Sequence, residues 1–292
     1  MTETVYEPST MLEEAASLFQ LMGGITPKHL VVVGGLVPPL LCPRAADPHL
    51  GSADVDLCLS VAITKGQTSD YYRSLEKCIA PYFEPVESGF RWRKKEGVGG
   101  IRLLVDFLGP EVEATPLSDG TLDLEEETAA ANTGTRLRPF PLAAAELIDA
   151  DAVRNTIEKV PLVYKPGVRA DVEIRHAGPV GFLASKADAL ANRDDPKDGY
   201  DISWWCMHAG SSPEEVAGLV TSRPAFRDPY FQESVAKLES AFRAPDYVGP
   251  DGYARERNRH LSPGDAVYDT DRNAAYAAVS RVVQRLRDEL WP

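Results

Sequence analysis

The chain has 292 residues, 43% of them hydrophobic, with 44 acidic against 31 basic side chains and a net charge of −13. That length and apolar content suit one large or two medium soluble globular domains. The acidic balance argues against broad nucleic-acid affinity, which needs Lys and Arg for phosphate contacts.

The predicted elements begin with an amphipathic helix, Ser9 to Gln20, capped by Ser9 and closed by Gly23-Gly24. A strand, Leu30–Val33, runs into the Gly34-Gly35 turn. Pro38-Pro39 then make the next helix short or late, because proline is tolerated only in a first turn. Strand Val55–Val61, helix Ser69–Cys78, strand Phe90–Lys95 and strand Ile101–Leu108 follow, so α/β alternation fills residues 1–125. The second part, 126–292, opens with a helix near Leu142–Ile157 and a strand pair around Pro161–Tyr164 and Val172–His176. A helix through Lys186 comes next, then helices Pro213–Thr221, Pro229–Phe242 and Asn273–Leu290. Between the last two, Ala244–Asp271 reads as a polar loop long enough to be functional. The expected class is α+β: a mixed sheet with flanking helices, followed by a mainly helical part. No apolar run approaches the ~20 residues that span a bilayer, and the acidic start Met1-Thr2-Glu3-Thr4 does not read as a signal peptide.

The chemistry concentrates in Ser52-Ala53-Asp54-Val55-Asp56-Leu57. Strand side chains alternate, so Asp54 and Asp56 share one side while Val55 and Leu57 face the core. Two close ionised carboxylates repel, and a fold tolerates them best around a cation. Hard divalent ions take such oxygen ligands together with substrate phosphates. Asp106 is the single acid of the apolar run Ile101–Leu108 and the third candidate ligand. Each feature also has a plain reading, as a turn, a half-solvated strand or a strand-end acid. In this order they point to metal-dependent phosphoryl or nucleotidyl transfer.

A second constellation lies in Phe182-Leu183-Ala184-Ser185-Lys186-Ala187-Asp188-Ala189-Leu190-Ala191-Asn192-Arg193, followed by Pro196-Lys197-Asp198-Gly199-Tyr200-Asp201. Lys186 and Arg193, seven apart, fall on nearly the same helix face and suit a triphosphate, one as a point charge and the other as a fork. Asp198 either N-caps a helix Gly199–His208, with Asp201 at N3 and Gly210 as its stop, or acts as a functional carboxylate.

Over residues 11–210 these motifs resemble the nucleotidyltransferase superfamily with the polymerase-β-like fold, and within it the AbiEii/MenT-type toxins of bacterial toxin–antitoxin systems. The likeness rests on the Gly-Gly turn, the D-x-D strand, the later strand Asp and the K-x-x-A-L-x-x-R…K-D-x-x-D pattern. It implies transfer of NMP from an NTP, with Mg2+ (or Mn2+) on Asp54, Asp56 and Asp106. It further implies Asp106 as a candidate base, backbone approach to the phosphates at Gly34, Gly35 and Ser52, and a nucleotide clamp of Lys186 and Arg193 with Asp198 and Asp201 beside it. The implied acceptor is RNA, the 3′ end of tRNA, with growth arrest as the outcome and a cognate antitoxin as partner. Two rivals are a small-molecule nucleotidyltransferase of the aminoglycoside-modifying kind and a non-catalytic binding member of the fold.

Charge is uneven along the chain. Residues 111–127 are acidic without a base, whereas Arg91-Trp92-Arg93-Lys94-Lys95 and Arg255, Arg257, Arg259 with His260 are basic islands. The first island is expected to form a hairpin beside the active centre, where a nucleic-acid end could lie, or else a solvated edge. Cys42, Cys58, Cys78 and Cys206 show no zinc or disulfide spacing, which fits a reducing cytoplasm. The five histidines are scattered, with no catalytic arrangement.

Overall fold

The structure is a computed structural model that describes residues 5–23, 29–59, 68–86, 89–110, 136–193 and 195–291, with only the backbone of 68–70. The acidic segment 111–127 and Gly24 lie outside these residues. The chain forms two compact units, Met1–Leu36 with Gly51–His176, and Val37–Leu50 with Ala177–Pro292.

The first unit is a mixed sheet. Its strands are β1 (Leu30–Val33), β2 (Asp54–Leu59), β3 (Phe83–Pro85), β4 (Arg91–Lys94), β5 (Leu104–Gly109), β6 (Phe140–Pro141), β7 (Val153–Pro161) and β8 (Arg169–His176). They lie in the order β3-β4-β5-β2-β1-β8-β7, with β6 on the end of β5. Helices α1 (Pro8–Met22), α3 (Thr68–Ile79) and α4 (Ala145–Asp151) belong to this unit. Strand β1 is entirely apolar and buried throughout, as its place in the middle of the sheet requires. Strand β2 buries Val55 and Leu57 and leaves Asp54 and Asp56 half-buried, which is the alternation expected from its sequence.

Several boundaries differ from the sequence reading. Helix α1 starts at Pro8 with Glu7 before it, and no side chain caps it. The helix expected over 142–157 ends at Asp151. Residues 153–157 instead alternate half-buried and exposed and pair with β8, which itself joins β1 in parallel through Val32 and His176. Because that hairpin completes the first sheet, the edges of the compact units do not coincide with residue 125.

The second unit is helical: α2 (Val37–Leu41), α5 (Pro179–Asn192), α6 (Pro196–His208), α7 (Pro213–Thr221), α8 (Pro229–Ala241), α9 (Val248–Arg257) and α10 (Ala266–Leu290). Helix α2 has five residues, as Pro38-Pro39 demand. Ser212 and Asp228 cap α7 and α8 through the backbone N–H groups of Glu215 and Tyr230. The expected loop 244–271 is mostly helix. Gly252 on α9 and Gly199 on α6 allow the two helices to lie directly against each other: a Cβ on Gly252 would come 2.6 Å from the Pro196 carbonyl oxygen, and one on Gly199 2.4 Å from the Gly249 carbonyl oxygen. Composition pointed to a loop because Pro and Gly disfavour isolated helices, but here the small residues serve packing.

Among the described residues no helix is long and apolar enough to cross a membrane.

Candidate metal centre

Strand register assembles the centre in the first unit. Strands β2 and β5 run parallel with Asp56 opposite Asp106, and β4 runs antiparallel to β5 with Arg91 opposite Asp106. Directly paired residues project from the same face, so Asp56, Asp106 and Arg91 form one row across three strands. Asp54 stands two residues before Asp56 on that face. One carboxylate oxygen from each of Asp54, Asp56 and Asp106 lies within 4.8 Å of the others, and this is the one such cluster of potential metal ligands among the described residues. Three hard oxygen donors at that spacing fit Mg2+ or Mn2+.

The local sequence builds the pocket. Gly34, directly after β1, takes a left-handed φ of +68°, and a Cβ there would sit 1.9 Å from Asp56 Oδ2. The second acid of the D-x-D strand therefore requires a glycine at this position. Gly35 is buried in the short 3-10 turn Gly34–Leu36. Ser52 is fully buried and its hydroxyl donates to Asp54 Oδ1 at 3.1 Å, so it orients a carboxylate instead of facing solvent.

Arg91 is the residue whose place the sequence left open. Its Nε donates to Asp106 Oδ1 at 2.8 Å and its Nη2 to Asp106 Oδ2 at 2.7 Å, a bidentate fork, and Nη2 stands 3.7 Å from Asp54 Oδ2. The rest of that basic island is also paired. Arg93 bonds Glu84, Lys94 is buried against Glu14 at 2.7 Å, and Lys95 donates to the Ala80 carbonyl. In the second island Arg255 pairs with Asp251, Arg257 with Asp47 and Arg259 with Glu256. Neither island is the uncommitted cationic face that a nucleic-acid reading would need.

The second unit brings Lys186, Arg193, Asp198 and Asp201 together, with a member that sequence reasoning missed. Lys186 Nζ donates to Asp198 Oδ1 at 2.8 Å and stands 2.6 Å from Asp201 Oδ2. Arg193 forks onto both oxygens of Asp198 at 2.7 and 2.9 Å. His49 Nε2 lies 3.0 Å from Asp201 Oδ1, its ring packed against Trp204 and Tyr200. The side chains of Asp198, Asp201 and His49 are wholly buried and that of Lys186 nearly so, whereas Arg193 is more than half exposed. Burial alone would raise both carboxyls. The Lys186 ammonium, with Arg193 on Asp198 and His49 on Asp201, outweighs it and holds both below the usual carboxylate range. Burial alone would likewise lower Lys186, but its two carboxylates drive it above the ordinary lysine value.

Asp198 does not cap α6, as one sequence reading had it. Asp195 does, accepting from Lys197 N at 3.0 Å, and Asp198 stands inside the first turn. A phosphate clamp by Lys186 would have to break both of its buried ion contacts. No local signal could have exposed His49, which meets Asp201 across 152 positions of sequence. The thiols take no part. Burial pushes Cys42 and Cys58 up to about 12, so neither is a thiolate at neutral pH.

No protein-family model and no curated protein matches the chain. Among solved structures, it is similar to an antigenic nucleotidyltransferase-like protein from Paracoccidioides brasiliensis, with 16% identity, 82% of this chain and 89% of that one covered, and a TM-score of 0.41. It is also similar to JHP933 from Helicobacter pylori, with 11% identity, coverage of 98% and 96%, and a TM-score of 0.39. A third likeness is to a STING-associated CdnE c-di-GMP synthase from Capnocytophaga granulosa, with 11% identity, coverage of 99% and 85%, and a TM-score of 0.29. These likenesses carry no assignment of residues or of reaction.

Proposed function

We propose that the protein is a divalent-metal-dependent nucleotidyltransferase acting through the Asp54, Asp56 and Asp106 centre. The observation that carries this reading is the strand register that sets Asp56 beside Asp106, with Asp54 on the same face and Gly34 clearing space for the Asp56 carboxylate. Asp54 and Asp56 would hold the ion, with Ser52 orienting Asp54. Bound there, a divalent ion supplies positive charge to the phosphates where negative charge develops. The acceptor hydroxyl oxygen forms its bond to the α-phosphorus of the NTP as the bond to the bridging oxygen breaks and pyrophosphate leaves. Asp106 would take the hydroxyl proton. In the second unit, Lys186, Asp198 and Asp201 are assigned to holding α5 and α6 in place, with Arg193 as their exposed member.

The acceptor is proposed on separate grounds. Resemblance in the motifs supports an RNA, the 3′ end of tRNA, with a growth-arresting toxin role, a cytoplasmic setting and a cognate antitoxin. A second reading, a small polycationic acceptor of the aminoglycoside kind, is favoured by the net charge of −13 and by the pairing of both basic islands. Incubation of the purified protein with labelled NTPs, Mg2+ and either total tRNA or aminoglycosides decides between them. Label on tRNA supports the first and label on the small amine the second. No transfer to either, with NTP still bound, would favour a non-catalytic role.

A further inference from the structure

The Arg91 fork is costly to explain as ornament, because it occupies the very carboxylate that would complete the metal centre. Asp106 is buried and gives both of its oxygens to Arg91, whose side chain remains about one-third exposed. The fork takes up both Asp106 oxygens, so of the three clustered carboxylates Asp54 and Asp56 are the two that would hold a single divalent ion. Strand pairing fixes the arrangement: Arg91 is opposite Asp106 in β4·β5, so the guanidinium reaches the centre from the neighbouring strand.

We propose that Arg91 is a resident cation of the centre. It holds Asp106 and restricts the nucleotide-free protein to a single divalent ion on Asp54 and Asp56, and it moves to the triphosphate when nucleotide binds. The inference rests on the nucleotidyl-transfer reading above. A phosphate group offers the planar guanidinium the same bidentate geometry as a carboxylate and carries more charge. Release of Asp106 therefore follows from arrival of the substrate, and Asp106 becomes available for a second ion or for the hydroxyl proton only then.

The experiment compares wild type, Arg91→Gln, Arg91→Lys and Asp56→Asn by Mn2+ titration, with free Mn2+ read by electron paramagnetic resonance. It is run without nucleotide and then with a non-hydrolysable NTP. Without nucleotide, wild type should bind one Mn2+ per chain, and Arg91→Gln should bind a second ion or bind at least tenfold tighter. With the NTP analogue, wild type should reach two ions, while Arg91→Gln should hold the nucleotide at least tenfold more weakly. Arg91→Lys, which keeps the charge but not the fork, should fall between and guards against a glutamine variant that folds poorly. Equal Mn2+ binding in wild type and both Arg91 variants, abolished by Asp56→Asn, would overturn the role of Arg91 and leave the metal centre standing. Mn2+ binding unaffected by Asp56→Asn would overturn the metal centre itself.

Discussion

At the scale of single residues, Asp56 and Gly34 depend on each other. Asp56→Asn keeps the shape of the side chain but discards a charged ligand, and it relieves repulsion within the acidic cluster. Transfer should fall to under roughly a tenth of wild type with an unchanged or higher melting temperature, and retained turnover at saturating Mg2+ would contradict the metal reading. Gly34→Ala should lose transfer as well, for a different reason. Its Cβ would collide with Asp56 Oδ2, and an L-residue at φ +68° costs about 1–2 kcal/mol. Loss of both activity and melting temperature distinguishes it from Asp56→Asn. These two positions were legible in sequence because a turn glycine and an alternating strand are local patterns. Arg91 was legible only as a charge, since its partner is chosen by the pairing of β4 with β5.

At the scale of elements, the Lys186 network decides whether the second motif binds nucleotide or holds helices. Lys186→Met would leave Asp198 and Asp201 buried without their ammonium, which costs about 3–5 kcal/mol. A drop in melting temperature of about 10 °C or more should follow. A variant that melts like wild type but binds NTP weakly would instead restore the clamp. The pH dependence follows from the same contacts. Both carboxyls are held below their unfolded values, so their stabilisation is complete above about pH 4 and is lost as pH falls further. Lys186 is held above its unfolded value, so its contribution persists up to about pH 10. Urea midpoints should therefore show no loss from this network between those limits, and the acid limb should flatten in Lys186→Met. The helix expected over 142–157 stops at Asp151, and the loop expected over 244–271 is mostly helix. Propensity was overridden by a strand partner in the first case and by a glycine-lined helix contact in the second.

At the scale of the whole molecule, net charge and the pairing of cations set what acceptors can be held. Each phosphate contact by a basic side chain steepens the salt dependence of nucleic-acid binding. Arg91, Lys94, Arg255, Arg257 and Arg259 are engaged with carboxylates, so these members of the two basic islands would have to leave a partner to make such contacts. Binding of tRNA, measured by filter retention across salt concentrations, should give a log–log slope shallower than about −2. A slope of −4 or steeper would show that the islands open to meet RNA.

The sequence by itself determined the mixed α/β character of the first part, the helical character of the last, the D-x-D strand and the third strand acid. All of these arise from neighbours a few residues apart, through strand alternation and helix periodicity. Only the tertiary structure decided that Glu14 neutralises Lys94, that His49 meets Asp201 and that Arg91 closes over Asp106. A buried charge must find its counter-charge somewhere in the folded chain, and which residue supplies it depends on contacts between segments far apart in sequence.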